Sequence, residues 1–317
     1  MQTVLITGAA SGIGRATAQQ AADQGWRCVL VDHDGALLQD LAKALPTSAL
    51  GAHTTQLVDL RDEVQIQDLA HRVPALDALI NNAGMSERLH EPLTAKPMAQ
   101  WQGVLELNLQ APARMVSALS GRLAAGARIV NVASGAGLRA IPWRGLYSPS
   151  KAGLIAQTRA LAQTRKDWCV NVLCPGFVRT ELVDTLIREE RLQPANAVAK
   201  VPLGRMAEPD EMAQALCFLA SQAARGLQGQ VLSVDGGSSV YGGSLALPPS
   251  PHAPLPANTP VALEVSGDAP DAWAGVGDAA APAGSYRTCL DLSLLHTAPD
   301  AWLSALLTVA SRFEQAH

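Results

Sequence analysis

A phenol and an ammonium group lie four residues apart in the stretch YSPSK, which runs from Tyr147 to Lys151. Four residues make about one helical turn, so on a helix both groups project from the same face. A free tyrosine has a pKa of roughly 10, and a neighbouring positive charge lowers that pKa, which favours proton exchange near neutral pH. The plain alternative is a surface tyrosine beside a solvated lysine, because Tyr-x-x-x-Lys also recurs by chance.

A glycine-rich turn, TGAASGIG at 7–14, follows the first strand-like run of the chain. Glycines let the backbone turn tightly, and the helix that follows offers free N–H groups and a positive dipole end to an anion. The spacing G-x-x-x-G-x-G differs from the familiar G-x-G-x-x-G. A tight turn without a ligand is the alternative, but the placement after the opening strand favours a site for a dinucleotide pyrophosphate.

Asp32 ends the second predicted strand and follows Gly14 by 18 residues. A carboxylate at this place can accept a hydrogen bond from a ribose 2′-hydroxyl and would repel a 2′-phosphate. No arginine or lysine stands at 33–36, and position 11 in the loop is Ser11 rather than a basic residue. These residues favour NAD over NADP, against the alternative of an ordinary turn aspartate before Gly35.

Short apolar runs alternate with amphipathic segments through the first 240 residues. Strands are predicted at 3–7, 27–31, 55–58, 76–80, 128–132, 169–173 and 230–234, and helices at 12–24, 36–45, 63–72, 98–124, 147–165 and 209–221. This alternation, with nearly continuous Val, Ile and Leu in the strands, is typical of a parallel sheet covered on both faces. We therefore predict an α/β fold, a Rossmann-like doubly wound parallel sheet followed by a C-terminal extension.

The helix predicted at 147–165 would begin at the Tyr-x-x-x-Lys pair. Ser148 and Pro149 suit its first turn, with the serine as cap and the proline where no amide donor is needed.

Composition argues against several classes of function. The 317 residues carry a net charge of -4 with 16% charged residues, which speaks against nucleic acid as the main partner. The apolar runs fall short of the roughly 18 residues of a membrane span, and the N-terminus lacks the basic segment of a signal peptide. Five scattered cysteines and seven histidines without ligand spacing indicate a cytoplasmic protein without a metal site.

Taken in order along the chain, the motifs resemble those of the short-chain dehydrogenase/reductase family. The resemblance covers about residues 2–243 and is specific because the motifs recur in register. They are TGAASGIG at 7–14, Asp59-Leu60, NNAG at 81–84, Asn108, Ser134 in NVAS, YSPSK, Pro175-Gly176 with Thr180, and SVDGG at 233–237. The resemblance implies an oxidoreductase that transfers a hydride between NAD(H) and a secondary alcohol or ketone.

The resemblance assigns catalytic roles to four residues. Tyr147 would be the general acid/base that exchanges a proton with the substrate oxygen, and Lys151 would favour its phenolate and hold the nicotinamide ribose. Ser134 would hydrogen-bond the substrate oxygen, and Asn108 would anchor a water that relays protons from Lys151 to bulk solvent. Taken alone, Ser134 suits a strand-end turn and Asn108 a buried polar group of a helix.

The resemblance also implies a set of cofactor-binding residues that surround NAD from its adenine to its nicotinamide. They are Gly8, Ser11, Gly12, Ile13 and Gly14 at the pyrophosphate, Asp32 at the ribose, Asp59 and Leu60 beside the adenine, Asn82, Ala83 and Gly84 along the adenosine ribose, Tyr147 and Lys151, and Pro175, Gly176, Val178 and Thr180 at the nicotinamide amide. The cofactor carries the redox chemistry, and the protein supplies alignment and charge.

The tail departs from the family, whose members usually end near residue 245. We predict a catalytic domain at 1–245, an irregular Pro/Ala/Gly-rich linker at 246–285, and a strand and helix at 286–317, with a capping box at 297–300. Asp291-Leu292 mirrors Asp59-Leu60. A degenerate fragment of a second copy and an unrelated extension therefore both stay open.

The substrate wall is predicted near Met85, at 135–143 and at 181–205. By resemblance, 181–201 is a mobile lid that closes over the substrate. Side chains such as Leu138, Ile141, Trp143 and Leu182 predict a largely apolar pocket. Arg139 and Arg144 could grip an anionic substrate or be solvated loop residues. The substrate itself stays open among a sugar, a steroid, a hydroxy-acid derivative and a small secondary alcohol.

Two classes of function remain. The favoured one is the NAD-dependent oxidoreductase, a homodimer or homotetramer that acts on a small alcohol or ketone and binds neither nucleic acid nor membrane. The alternative is a catalytically silent NAD-binding sensor or scaffold, and an epimerase or dehydratase with tightly held NAD is a minor third. The intact set of Ser134, Tyr147 and Lys151 favours the enzyme, because a pure binder has no need of all three.

Overall fold

The structure is a computed structural model that describes residues 2–86, 98–141, 144–189 and 193–240, without the side chains of Leu182 and Leu186, and the backbone of 261–266 and 286–291. Residue contacts divide the chain into two compact units, Met1–Leu247 and Pro248–His317. The predicted boundaries at 245 and 285 stay predictions.

Seven parallel strands form the sheet of the first unit. They are β1 Thr3–Thr7, β2 Arg27–Asp32, β3 Thr54–Leu57, β4 Leu76–Asn81, β5 Leu123–Val132, β6 Cys169–Pro175 and β7 Val231–Val234. Their spatial order is β3-β2-β1-β4-β5-β6-β7. The predicted doubly wound parallel sheet is confirmed, and its order reverses between β1 and β4, where such sheets form a ligand crevice at the carboxyl ends of the strands.

Helices connect the strands and cover both faces of the sheet. They are α1 Gly12–Asp23, α2 Gly35–Ala44, α3 Glu63–Arg72, α4 Met98–Leu105, α5 Ala111–Ala118, α6 Gly135–Leu138, α7 Tyr147–Thr164, α8 Glu181–Arg188, α9 Pro194–Val198 and α10 Pro209–Ala220. The carboxylates of Asp34 and Asp62 accept N–H groups in the first turns of α2 and α3, and these caps fix where the two helices begin. Within the described part of the chain, no helix combines the length and apolar character needed to cross a membrane.

Two apolar layers hold the helices on the sheet. Val4 and Ile6 of β1 pack with α1 and α10 on one face, while Leu5 packs with α3 and α5 on the other. Because both faces are covered, the strand reads as an unbroken apolar run with a side-chain period of two. Full burial of a side chain such as Leu5 contributes roughly 1.5–3 kcal/mol to stability.

The single helix predicted at 98–124 is wrong in two places. A π-helical turn, Glu106–Gln110, separates α4 from α5, and α5 ends at Ala118. The stretch LAAGA at 123–127 belongs instead to β5, where Leu123 pairs with Leu76 of β4. Alanine favours helices intrinsically, but pairing with the neighbouring strand overrides that preference.

The helix cap predicted at Ser148 is also wrong. α7 begins one residue earlier, at Tyr147, and the Ser148 hydroxyl accepts a hydrogen bond from the N–H of Ile141 at 3.2 Å. Pro149 is the third residue of α7, where the missing N–H leaves no helical hydrogen bond unmade.

The described backbone of the second unit is a parallel pair of strands, β8 Val261–Ser266 and β9 Tyr286–Asp291. β9 lies within 286–292, where the sequence predicts a strand. β8 falls in the predicted linker, although its Val261, Leu263 and Val265 alternate with less apolar residues as in a strand. The capping box at 297–300 and the helix after it lie outside the described residues, and the second-copy hypothesis stays open.

Candidate active site

A cleft of about 500 Å³ opens at the carboxyl ends of β1 and β4, where the strand order reverses. The predicted cofactor residues on its wall are Gly8, Ser11, Gly12, Ile13, Asp32, Asp59, Leu60, Asn82, Ala83, Gly84 and Thr180. Residues from five separate segments of sequence therefore meet at one site. A volume of this size is typical of small-molecule and cofactor pockets.

The glycine loop is packed so tightly that two positions exclude side chains. A Cβ built at Gly14 would lie 2.0 Å from the carbonyl oxygen of Gly8, and Gly8 itself has a φ of +65°. The Asn82 amide donates to the carbonyl oxygens of Thr7 at 2.9 Å and Gly8 at 3.2 Å. Asn82 thus fastens the loop to the end of β4, and Gly12 and Ile13 at the start of α1 line the cleft, where a helix N-terminus favours an anion.

The Asp32 carboxylate ties the end of β2 to this loop. It is 7% exposed, and its Oδ2 accepts the N–H of Ala10 at 3.0 Å. Oδ1 accepts the N–H groups of His33 at 2.7 Å and Asp34 at 3.2 Å. Because each carboxylate oxygen has two lone pairs, Oδ2 keeps the capacity for one further donor such as a ribose hydroxyl.

Arg61 lies beside Asp59, at the end of the cleft where the resemblance places the adenine. Sequence reasoning missed this arginine. Its Nε and Nη2 donate to the two oxygens of Asp59 at 3.0 and 2.7 Å. This bidentate hydrogen bonding holds the pKa of Asp59 below its usual value. The only signal in the sequence is the spacing Asp-x-Arg after the third strand, which many loops share.

Glu181, the first residue of α8, belongs to the segment predicted as substrate wall, but it lines the cleft of the predicted cofactor residues. Its Oε2 accepts the backbone N–H of Gly12 at 3.0 Å, although the two residues are 169 positions apart in sequence. That N–H belongs to the start of α1, where the helix dipole and free amides favour an anion. A carboxylate of the chain therefore lies where an anionic group of a ligand would compete with it.

Tyr147 and Lys151 share one face of α7, as their spacing predicts. The Lys151 Nζ lies 5.8 Å from the centroid of the Tyr147 ring and donates to the Val132 carbonyl oxygen at 2.9 Å. Lys151 is 3% exposed, and burial lowers its pKa to about 8. A Cβ at Gly84 would lie 3.1 Å from this Nζ, so the glycine leaves room for the ammonium beside the cleft.

Asn108 sits in the π-helical turn and is fully buried. Its Oδ1 accepts the Met85 N–H at 2.8 Å, and its Nδ2 donates to the Met85 carbonyl at 2.8 Å and to the Ser150 hydroxyl at 3.0 Å. Ser150 in turn donates to the Tyr147 carbonyl at 2.7 Å. The Asn108 side chain thus joins the segment after β4 to the first turn of α7, and its role as a water anchor stays a prediction.

Ser134 follows β5 and caps the short helix α6, where its hydroxyl oxygen accepts the N–H of Ala136 at 3.1 Å. α6 lies directly against α7, since a Cβ at Gly137 would stand 2.8 Å from the carbonyl carbon of Lys151. This close approach brings Ser134 to the helix that carries Tyr147.

A second cavity contains Ser134 together with the predicted Pro175 and Gly176. It is lined by Ser134, Gly135, Ala136, Leu138, Arg139, Ile141, Pro175, Gly176, Phe177, Ser238 and Ser239. Leu138 and Ile141 lie in the segment predicted as substrate wall, and their contact with a substrate stays a prediction. Phe177, Ser238 and Ser239 were not predicted. Trp143 lies outside the described residues, as does the side chain of Leu182.

Four predicted cofactor residues line neither cavity: Gly14, Tyr147, Lys151 and Val178. Val178 is the one that packs in the core. Its side chain is 6% exposed and packs in the apolar layer beneath α1 and α10. The absence of a metal site stays a prediction. In the described ranges, no group of three or more His, Cys, Asp or Glu is arranged to hold a metal ion.

Comparison with known proteins gives a consistent family. A family model described as enoyl-(acyl carrier protein) reductase matches residues 8–239. The cis-4-hydroxycyclohexanecarboxylate dehydrogenase of Sinomonas cyclohexanicum is 38% identical over 245 residues, covering 74% of this chain and 96% of that protein. The 3-oxoacyl-(acyl-carrier-protein) reductase of Thermotoga maritima is 33% identical over the same shares of both chains.

Two further matches bear on length and cofactor. An uncharacterized short-chain type dehydrogenase/reductase of Sinorhizobium fredii is 36% identical over 240 residues, and the match spans only 43% of that longer protein. A protein of Beutenbergia cavernae, assigned as an NAD(P)-dependent gluconate 5-dehydrogenase, has a crystal structure with NADP bound at low occupancy. It is 30% identical with a TM-score of 0.67, covering 75% of this chain and 97% of that one.

Proposed function

The chain belongs to the short-chain dehydrogenase/reductase family, and we propose that it transfers a hydride between NAD(H) and a secondary alcohol or ketone. The observation that carries the proposal is the buried Lys151 ammonium, 5.8 Å from the Tyr147 ring and beside the cleft that starts at the glycine loop. A binding protein would need the cleft but not this pair. The pair supports an acid/base role at the end of the cleft.

The residues of the cleft fit a nicotinamide dinucleotide. The amides at the start of α1 would hold the pyrophosphate, and Asp32 would accept a ribose hydroxyl through the free capacity of Oδ2. Gly84 leaves space next to Lys151, whose ammonium would hold the second ribose. When bound, the cofactor supplies or accepts the hydride, and the chain contributes alignment and proton transfer.

Proton transfer falls to Tyr147 with help from two neighbours. Below its pKa of about 8, Lys151 is charged and stabilises the Tyr147 phenolate, which can then take the proton of the substrate hydroxyl. The Ser134 oxygen already accepts the Ala136 N–H, so its own hydrogen is left to donate to the substrate oxygen. This donor would stabilise charge that develops on that oxygen in the transition state.

The relatives support a carbinol or ketone carbon as the reacting centre. Their names describe a dehydrogenase of a cyclic hydroxy acid, a reductase of 3-oxoacyl groups and a D-threitol dehydrogenase. We extend to this chain only the chemistry that these names share, which is oxidation of a CH–OH group or the reverse. Assembly as a homodimer or homotetramer and a cytoplasmic location stay predictions.

The decisive test replaces Tyr147 by phenylalanine. Reduction of NAD⁺ is measured over a panel of secondary alcohols at slightly alkaline pH, and NAD⁺ affinity is measured by calorimetry. Tyr147→Phe should lower turnover by at least 100-fold, a typical contribution of a general acid/base, and leave the affinity for NAD⁺ nearly unchanged. Equal loss of affinity and turnover would assign Tyr147 a structural role, and a wild-type protein that binds NAD⁺ without turnover would favour the sensor.

The preference for NAD rests on Asp32, and a specific observation favours NADP as the second candidate. Arg61 and His33 line the same cleft as Asp32 and are basic residues that could pair with a 2′-phosphate. A related structure contains NADP. Arg61 is already neutralised by Asp59, so Asp32 should dominate. The variant Asp32→Asn keeps an acceptor for the Ala10 N–H and removes the charge, and it should narrow the difference between the Kd values for NAD⁺ and NADP⁺. An unchanged ratio would remove Asp32 from the ribose site.

A further inference from the structure

The second cavity, which contains Ser134, has an uneven distribution of charge. Its described wall combines the side chains of Leu138, Ile141 and Phe177 with small and polar residues, and Arg139 is the one charged residue on it. A single cation on a wall that is otherwise uncharged selects for a ligand with an anionic group. Arg139 therefore bears on which substrate is bound, whereas Tyr147 and Lys151 bear on the reaction itself.

The structure separates the two arginines that the sequence offers as candidates. Arg144 Nη1 donates to the Ser86 hydroxyl at 2.7 Å, and Arg144 is absent from the described wall of the cavity. Arg139 makes a backbone hydrogen bond to Gly135, and across the described residues its guanidinium has no carboxylate partner. The exposed Arg139 side chain is thus available to a ligand, whereas that of Arg144 is already engaged.

Short helix α6 joins Ser134 to Arg139. Ser134 is the N-cap of α6 and Arg139 is its C-cap. Gly137, between them, packs against the backbone of Lys151. Arg139 therefore lies on the same short element as the serine that would hold the substrate oxygen.

We propose that Arg139 is a specificity-determining residue that binds a carboxylate of the substrate. The substrate class is then a hydroxy acid or the matching oxo acid. A guanidinium binds a carboxylate through two parallel hydrogen bonds, which a neutral ester or amide cannot match. This inference rests on the proposed hydride transfer.

The test compares each substrate with its uncharged derivative. A panel of secondary alcohols is assayed as paired acids and methyl esters, including 5-hydroxyhexanoate and methyl 5-hydroxyhexanoate, with NAD⁺ reduction as the readout. The wild-type enzyme should prefer the acid. Arg139→Gln should lower kcat/KM for the acid by about 10- to 100-fold, mainly through KM, since hydrogen bonds to charged groups contribute on that scale, and leave the ester unchanged. Arg139→Lys should restore part of the loss.

Arg144→Gln is the matched control, because it removes the same charge from the same loop without touching the cavity wall. Its acid-to-ester preference should equal that of the wild type. The carboxylate inference is overturned if the wild type prefers esters across the panel, if Arg139→Gln affects acid and ester equally, or if Arg144→Gln reproduces the loss. Absence of any NAD⁺ reduction with acids and esters alike would instead overturn the proposed hydride transfer, so the two failures are distinguishable.

Discussion

The contact between Glu181 and the glycine loop predicts that a carboxylate of the chain weakens cofactor binding. Glu181 Oε2 accepts the Gly12 N–H at 3.0 Å, at the helix end proposed for the pyrophosphate. This contact must break before a phosphate oxygen can accept the same N–H. The variant Glu181→Gln keeps the shape of the side chain, weakens the contact and removes the repulsion between the carboxylate and the phosphates.

The magnitude follows from the type of contact and its exposure. A hydrogen bond to a charged group contributes roughly 1.5–3 kcal/mol when shielded, and solvent at this exposed contact reduces that to about 1 kcal/mol. Since 1.4 kcal/mol corresponds to a tenfold change, Glu181→Gln should lower the Kd for NAD⁺ by about fivefold. The gain should shrink at high ionic strength, because salt screens exposed charges.

Calorimetric titration of NAD⁺ into wild type and variant at low and high salt measures the effect directly. Asp184→Asn is the matched control on the same helix, because the Asp184 carboxylate pairs with Arg179 at 3.1 Å rather than with the loop. Its Kd should stay near the wild-type value. A Kd that is unchanged or higher in Glu181→Gln refutes the reasoning, since Gly12 would then not serve the phosphates or Glu181 would assist the cofactor.

Three further predictions concern stability and domain role. Lys151→Met should raise the free energy of unfolding at pH 7 by up to about 3 kcal/mol, because burial lowers the lysine pKa from 10.5 to about 8. This gain should fade between pH 8 and 10.5, where the lysine of the unfolded chain still binds its proton and that of the folded chain does not. Urea unfolding at pH 7 and at pH 10.5 measures the difference. Gly14→Ala should lower the melting temperature, because its Cβ would meet the Gly8 carbonyl, whereas Gly103→Ala, with open space in α4, should stabilise by roughly 0.5–1 kcal/mol. Removal of 248–317 should leave kcat unchanged, because every proposed site residue lies in the first unit.

Most of the sheet could be predicted from sequence because its strands are buried on both faces. A run such as TVLIT is recognisable without knowledge of its neighbours, since its three central side chains are all apolar and its threonines are β-branched. The errors fall where neighbours decide. Residues 123–127 are alanine-rich and by themselves favour a helix, but Leu123 pairs with a residue of β4. The π-helical turn at 106–110 contains Asn108, whose hydrogen-bond partner Ser150 lies far away in sequence.

The candidate site divides in the same way. Glycines, Tyr147 and Lys151 are recognisable because their spacing reflects local geometry, a tight turn or one helical turn. Arg61, Glu181 and Phe177 reach the cavities only through the fold, and no local pattern announces them. From sequence, Arg139 and Arg144 are equal candidates for binding an anionic substrate. The structure distinguishes them, because Arg139 lines the second cavity whereas Arg144 donates to Ser86.

The extra residue of the π-helical turn at 106–110 reconciles two demands that a regular helix could not meet together. Met115 of α5 must face the sheet, while Asn108 must face the first turn of α7. Deleting one residue in this turn would rotate everything beyond it by about 100° relative to everything before it. Either the packing of Met115 or the hydrogen bond from Asn108 to Ser150 would then be lost. A redesign for thermal stability should therefore keep this irregular turn.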